Sequence, residues 1–272
     1  MQRSYSERFS HHYQPIVGIN DGKISHYEVL LRAHPDSKEL NSSVFQYIES
    51  IEKTGEIAEL DKWNIAVLSK QVDRKFHAFG HPCSVNLSAT TVQQPGFCDY
   101  IKNILSQMTN PHLLHFEITE SQPIRDFKLI NNFTEIIHHF GSEVAIDDFG
   151  AGYAEFSYLD KINADIVKID GAYIRDILRN KESKDFVIKT VLAAKEKNIK
   201  VIAEYIEDAS IQDVLKKLGV NLGQGYLYSK AMPTPPSQQI ISTNINESIH
   251  SVEIENQLEK DSSVKINSLL KI

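Results

Sequence analysis

Short apolar runs alternate along the chain with longer stretches in which apolar residues return every three or four positions. The runs at 12–17, 25–31, 83–87, 113–118, 144–146, 165–169, 200–203 and 225–228 predict strands. The stretches at 43–75, 97–108, 126–140, 172–197 and 210–218 predict helices. In VIKTVLAAKEKN, Val187, Val191, Leu192 and Ala194 form the apolar stripe and lysines take the opposite side, with Asn198 at the expected terminus. Strands this apolar do not suit a half-exposed antiparallel sheet; separated by helices, they predict parallel strands covered on both faces. About eight such units make a TIM-like α/β barrel the first expectation and a doubly wound open sheet the second. After YSKAMPTPPSQQ the periodicity fades, and Pro233, Pro235 and Pro236 stop whatever precedes them. The barrel domain is therefore expected over 1–236, and the polar tail 237–272 is expected to hold no more than a short amphipathic helix in VEIENQLEKDSSVKINSLLKI.

Parallel α/β barrels build their sites at the C-terminal strand ends, so the polar residues closing each apolar run carry the chemistry. Glu28 stands in HYEVLLR, Asn86 in CSVNLS, Glu117 in HFEITE, Asp147 and Asp148 in VAIDDFG, Lys168 in IVKID, Glu204 in VIAEYIE and Gln224 in GQGYLY. Singly, such a carboxylate reads as a helix cap or a salt-bridge partner, Asn86 as a turn residue and Lys168 as a snorkelling side chain. Together they read differently. Glu28, Glu117, Asp147, Asp148 and Glu204 at one mouth would repel by about 4 kcal/mol per pair at ~4 Å and an effective dielectric near ~20, so the cluster calls for a cation. Carboxylates plus an amide oxygen, without His or Cys, are hard donors suited to magnesium, manganese or calcium rather than zinc. A carboxylate shared by two ions is what a site about 3.5–4 Å across requires, and Asp147 is placed for that role. Gly150 and Gly152 let the backbone bend tightly beside the ions.

Composition narrows this reading further. With 272 residues, 41% hydrophobic and 24% charged, one domain with one core is expected. A net charge of −7 without a Lys/Arg cluster argues against a long nucleic acid, though not against a small phosphorylated ligand held through metal ions. No secretory leader or membrane-spanning run is visible, and Cys83 and Cys98 lack C-x-x-C spacing, so a cytoplasmic, reducing setting is expected. GAGY fails as G-x-G-x-x-G because position 155 is Glu, and G-x-x-x-x-G-K-[ST], H-E-x-x-H and G-x-S-x-G are missing. The pairs His11–His12 and His138–His139 lack any companion ligand motif and are expected at the surface.

Ordered motifs from about Tyr13 to Pro233 give the chain a resemblance to the EAL-domain family of cyclic di-GMP phosphodiesterases. YQPIV at 13–17, YEVLLR at 27–32 with Val29 where the family has Ala, VNLS at 85–88 and FEITES at 116–121 come first. DDFGAGY at 147–153, KID at 168–170, AEYIE at 203–207 and QGYL at 224–227 follow in the family's order. The resemblance implies a modified TIM (β/α)8-type barrel with one strand antiparallel, hydrolysing one phosphodiester of cyclic di-GMP to linear pGpG with two Mg2+ or Mn2+ ions. Carried over by motif, Glu28, Asn86, Glu117 and Asp147 ligate one ion, and Asp147, Asp148 and Glu204 the other. Lys168 and Glu204 form the catalytic pair, Lys168 orienting the attacking water or taking its proton. Gln14, Arg32 and Gln224 are expected on the substrate, Arg32 gripping phosphate with its planar fork and Gln224 supporting the water or a guanine edge. Glu120 and Glu207 are expected to brace the ligands from behind, Glu120 by tethering the loop after Asp148. In the family that loop, here 149–156, couples the site to a dimer interface, so a homodimer is implied. Little chain precedes Tyr13, so the input signal is expected from a regulatory protein partner, the tail or the expression level.

Two departures from the pattern bear on function. Tyr205 replaces the commoner Gly between Glu204 and Glu207 and could crowd the second ion, and Ala154–Glu155 replace a usual Ser–Ser in the coupling loop. They support the alternative of a catalytically weak or inactive domain that acts as a cyclic di-GMP receptor or protein-interaction module. A metal-assisted lyase or aldolase would satisfy the carboxylates but leaves the ordered motifs unexplained.

Overall fold

The computed structural model describes residues 4–34, 37, 43–119, 124, 126–151 and 156–269, with 75–79 and 254–269 described by backbone alone. Eight strands close into a barrel in sequence order: β1 (Phe9–Gly18), β2 (Ile24–Ala33), β3 (Cys83–Ser88), β4 (Leu114–Thr119), β5 (Val144–Phe149), β6 (Ile166–Ile169), β7 (Lys200–Ala203) and β8 (Leu222–Gln224). Strand β1 runs antiparallel to both its neighbours, β2 and β8, and all other adjacent strands are parallel. The reversal follows from the link between β1 and β2. Gly18 N–H bonds Lys23 O at 2.8 Å and Lys23 N–H bonds Asp21 Oδ1 at 3.1 Å, closing a hairpin too short to hold a crossover helix. Closure excludes the open-sheet alternative.

Helix α1 (Tyr5–Arg8) precedes β1, while α2 (Val44–Thr54) and α3 (Ile57–Phe79) lead from β2 to β3. Next come α4 (Ala89–Val92), α5 (Phe97–Ser106), α6 (Phe127–His139), α7 (Phe156–Lys161), α8 (Gly171–Arg175), α9 (Lys181–Glu196), α10 (Ala209–Leu218) and α11 (Gln238–Leu269). Successive strand side chains point to opposite faces, which divides the barrel's apolar residues in two. Outward, Val29, Val85, Phe116 and Val167 join helix residues such as Leu68 and Phe133 in the main core. Inward, Ile16, Ala145, Ile166, Ile202 and Leu222 plug the barrel. One pleat step of two residues above that plug stand Gln14, Asp147, Lys168 and Gln224 on their strands and Glu204 just past the end of β7. The plug thus forms a dry floor under a polar mouth.

Several elements differ from the sequence expectation, each for a local reason. The helix expected over 43–75 is two helices, because Gly55 ends α2 in the left-handed conformation at φ 78°, its N–H on Glu52 O and Ile51 O. The one expected over 172–197 divides into α8 and α9, and Asn180 caps α9 by accepting from Glu182 N–H at 2.9 Å. The strand expected at 225–228 is Leu222–Gln224 instead. At Gly225 a Cβ would stand 2.1 Å from Ile206 O, and the chain turns there with Tyr228 N–H on Gly225 O. On α9, Val187, Thr190 and Ala194 are buried but Leu192 is 58% exposed, since it falls off the stripe by one residue step. Of the histidine pairs, His11 is half-buried between Asn64 and Gln71 and His138 bonds Asp165 at 2.8 Å.

The segment after Pro236 is a long helix rather than a short one. Its first turns lie on the barrel: Ile241 is fully buried, Gln238 bonds Ile24 N–H and Gly22 O, and Asn244 Nδ2 donates to Tyr228 O at 2.6 Å. No helix among the described residues is long and apolar enough to cross a membrane.

Candidate active site

Lys168 stands at the centre of the mouth, 1% exposed. Its Nζ lies 2.6 Å from Glu117 Oε2, 2.9 Å from Asp147 Oδ1, 2.9 Å from Glu204 Oε1 and 3.2 Å from Glu28 Oε2. Strands β2, β4 and β5 and the residue just after β7 therefore each deliver one carboxylate to a single ammonium from β6. Neutral donors complete the shell. Glu28 accepts from Asn86 Nδ2 at 2.6 Å and from Gln224 Nε2 at 2.6 Å, and Gln224 Nε2 also reaches Gln14 Oε1 at 3.2 Å. Ser84 Oγ donates to Glu117 Oε1. Gln14 is itself held by Ser229 O, which accepts from its Nε2 at 3.3 Å.

Burial and charge set the proton affinities of this cluster. Burial would lower the Lys168 pKa, but Asp147, Glu117, Glu204 and Glu28 outweigh it and hold the ammonium well above the ordinary lysine value. Burial pushes Glu117 up to about 8 and Glu204 well above the carboxylate range, with Lys168 opposing in both cases. Asp147 is raised by burial, and Asp148 rises to about 6 through burial and the neighbouring Asp147. Glu28 alone falls below its ordinary value: burial raises it, but Lys168 and the Gln224 and Asn86 hydrogen bonds prevail. Most of these acids hold protons more tightly than an exposed carboxylate does, first because they are buried and then because they crowd one another around a single ammonium.

Geometry divides the carboxylates into two sets. Oxygens of Glu28, Glu117 and Asp147 lie within 4.8 Å of one another, as do those of Asp147, Asp148 and Glu204, so Asp147 belongs to both. Beside the first set, Asn86 Oδ1 is buried without a hydrogen-bond partner, an acceptor oxygen that a cation would satisfy. An all-oxygen donor set with one shared carboxylate fits a pair of hard divalent cations.

The mouth opens into a cavity of about 740 Å3, within the range of small-molecule sites. Arg32, Asp148, Glu207 and Gln224 line it. Arg32 is exposed, its Nη1 on Leu31 O at 3.0 Å, so it reaches the opening and not the carboxylates. Glu207 is likewise exposed at the rim of the cavity. Glu120 and residues 152–155, including Glu155, lie outside the described residues. The Tyr205 ring rests on Gly171 with the Arg175 guanidinium 4.5 Å from the ring centroid.

The sequence model of the EAL domain matches residues 1–231. This chain belongs to the EAL-domain family. It is 33% identical over 222 residues to the cyclic di-GMP phosphodiesterase PdeF of Escherichia coli (strain K12), an overlap of 81% of this chain and 29% of that protein. It is 32% identical over 227 residues to the bifunctional diguanylate cyclase/cyclic di-GMP phosphodiesterase MucR of Pseudomonas aeruginosa, covering 82% of this chain and 33% of that protein. The chain thus spans about a third of the length of these curated relatives. A solved structure titled as the PaMucR phosphodiesterase in complex with c-di-GMP superposes with a TM-score of 0.73 at 29% identity, covering 86% of this chain and 99% of that one. The fold is the family's modified TIM barrel.

In this EAL domain two polar residues at the site escape motif reasoning. Ser84 sits two residues before Asn86 and so shares its inward face, a signal that strand period alone could have given. Asp61, on α3, is buried against the end of β3, accepting from Thr91 Oγ1 at 2.5 Å and Ser88 N–H at 3.2 Å. Burial pushes its carboxyl up to about 7 against those two hydrogen bonds, with Glu52 adding to the rise. It comes from helix α3, where no strand-end pattern points to it.

Proposed function

We propose that the chain hydrolyses one phosphodiester of cyclic di-GMP to give linear pGpG, using two Mg2+ or Mn2+ ions at the mouth of the barrel. The observation that carries this reading is the pair of oxygen triads sharing Asp147, in a chain of this family. Glu28, Asn86, Glu117 and Asp147 would hold one ion and Asp147, Asp148 and Glu204 the other. When bound, such ions polarise water and neutralise charge on phosphoryl oxygens. Lys168 presents Nζ at the centre of the ligands and orients the attacking water; a base role for it requires the ions' charge to displace its own proton. Arg32, exposed on the cavity wall, offers a planar fork to a phosphate. Gln224 and Asn86 fix the orientation of Glu28, so its carboxylate is in place before any ligand arrives. The inward plug of Ile16, Ala145, Ile166, Ile202 and Leu222 keeps water out from below.

The test is turnover: purified protein with Mn2+ and cyclic di-GMP should release pGpG. Tight binding of cyclic di-GMP without product would favour the receptor reading, and absence of both would end the proposal.

A further inference from the structure

Tyr205 has a backbone conformation that an aromatic residue adopts at a cost. Its φ is 54°, in the left-handed region open to glycine without penalty. Core burial does not account for the ring, which is 49% exposed and lines the cavity beside Glu204. It is nonetheless firmly seated. The ring lies so close to Gly171 that a Cβ there would come 2.1 Å from Cδ2, and the Arg175 guanidinium sits 4.5 Å from the ring centroid. Gly171 and Arg175 are four residues apart on α8 and project to the same side of that helix, so the ring packs against α8. The remainder of the residue's surface is exposed at the cavity.

A flat ring packed against α8, with a guanidinium beside it and half its surface exposed at the cavity, suits stacking of a nucleobase. Asp170 and Glu207 line the same cavity, and their carboxylates are acceptors suited to the N–H edge of a guanine. We propose that Tyr205 is a base platform: one guanine of the cyclic dinucleotide stacks on its exposed ring and so places the adjoining phosphodiester against Asp147, Asp148 and Glu204. The inference rests on the function proposed above and assigns to Tyr205 a substrate-positioning role.

The experiment compares Tyr205→Gly and Tyr205→Phe with wild type in steady-state hydrolysis of cyclic di-GMP with Mn2+, alongside Mn2+ calorimetry and thermal melting. Glycine suits the left-handed backbone, so Tyr205→Gly removes the ring without disturbing the turn. The expected result is a rise in KM of about tenfold in Tyr205→Gly, from the loss of one base–aromatic stack, with the loss falling on KM rather than kcat. Mn2+ affinity should stay at the wild-type level, and Tyr205→Phe, which keeps the ring, should restore KM. A wild-type KM in Tyr205→Gly would overturn the proposal. So would a lowered melting temperature with KM unmoved, which would make the ring a cover for Gly171, or a matching loss of Mn2+ affinity, which would make it a support for Glu204. Failure of the wild-type protein to take cyclic di-GMP would instead defeat the functional reading on which this platform rests.

Discussion

The two carboxylate triads share Asp147 and differ in nearly everything else. Glu28 and Glu117 stand on regular strand backbone, fully enclosed, with Asn86, Gln224 and Ser84 donating to them. Asp148 is exposed and left-handed at φ 52°, and Glu204 is followed by the left-handed Tyr205. The inner triad is preorganised in a dry setting, where each electrostatic contact counts for more; the outer one sits on costly backbone at the solvent edge. On the two-ion reading proposed above, one shared aspartate would join a permanent site to an exchangeable one. The inner ion should bind tightly and the outer ion should come and go with substrate.

The largest effect should come from breaking the inner set. Glu28→Ala is expected to lower turnover by about a thousandfold or more, as removal of a ligand to a catalytic ion does; near wild-type rates would end the comparison. Asp148→Asn should cost about 10- to 100-fold and raise the Mn2+ needed for half-maximal activity, because only the outer ion is weakened. Equal losses in the two variants would erase the distinction.

Lys168→Met reads the same cluster through stability. In EDTA it leaves buried carboxylates without their ammonium, and about 3–5 kcal/mol should be lost in urea denaturation. Mn2+ should return most of it by replacing the missing charge. A loss that is the same with and without Mn2+ would show that the lysine acts by packing alone.

The smallest effect lies beside the mouth, at Asp61 against the end of β3. Its folded-state pKa of about 7 exceeds that of an unfolded aspartate, so the native state holds a proton that the unfolded chain has released. Stability contributed by that proton is complete below about pH 4 and is lost as pH rises to about 7. Asp61→Asn cannot ionise and still accepts from Thr91 and Ser88. Its stability relative to wild type should therefore rise by about 2–4 kcal/mol between pH 4 and pH 8. A constant difference across that range would assign no titration to Asp61.

The inner and outer sets were both legible in the sequence because the barrel repeats one rule. An apolar strand ends in a polar residue two positions above the plug, as in Ala145 and Asp147, Ile166 and Lys168, or Ile202 and Glu204. Strand β8 keeps the rule, with Gln224 two positions above Leu222, but it is only three residues long, and the flanking Gly225-Tyr226-Leu227-Tyr228 offered a more apolar but wrong candidate. The break between α2 and α3 was marked by Gly55, yet an apolar pattern running through both helices masked it. The docking of α11 was carried by Ile241 and Ile245, one turn apart, too sparse a signal in a polar tail. Tyr205 was visible as a departure from glycine, but the direction of its ring depends on Gly171 and Arg175, which no local pattern connects to it. Glu207 at the open rim likewise depends on how the turn after β7 leaves the barrel.

Titration of the protein with Mn2+ in a calorimeter tests the central claim most directly. Wild type should take up two equivalents in separate phases, with Glu28→Ala losing the tighter phase and Asp148→Asn only the weaker one. A single equivalent in wild type, no uptake at all, or loss of both phases in Asp148→Asn would contradict a pair of ions joined through Asp147.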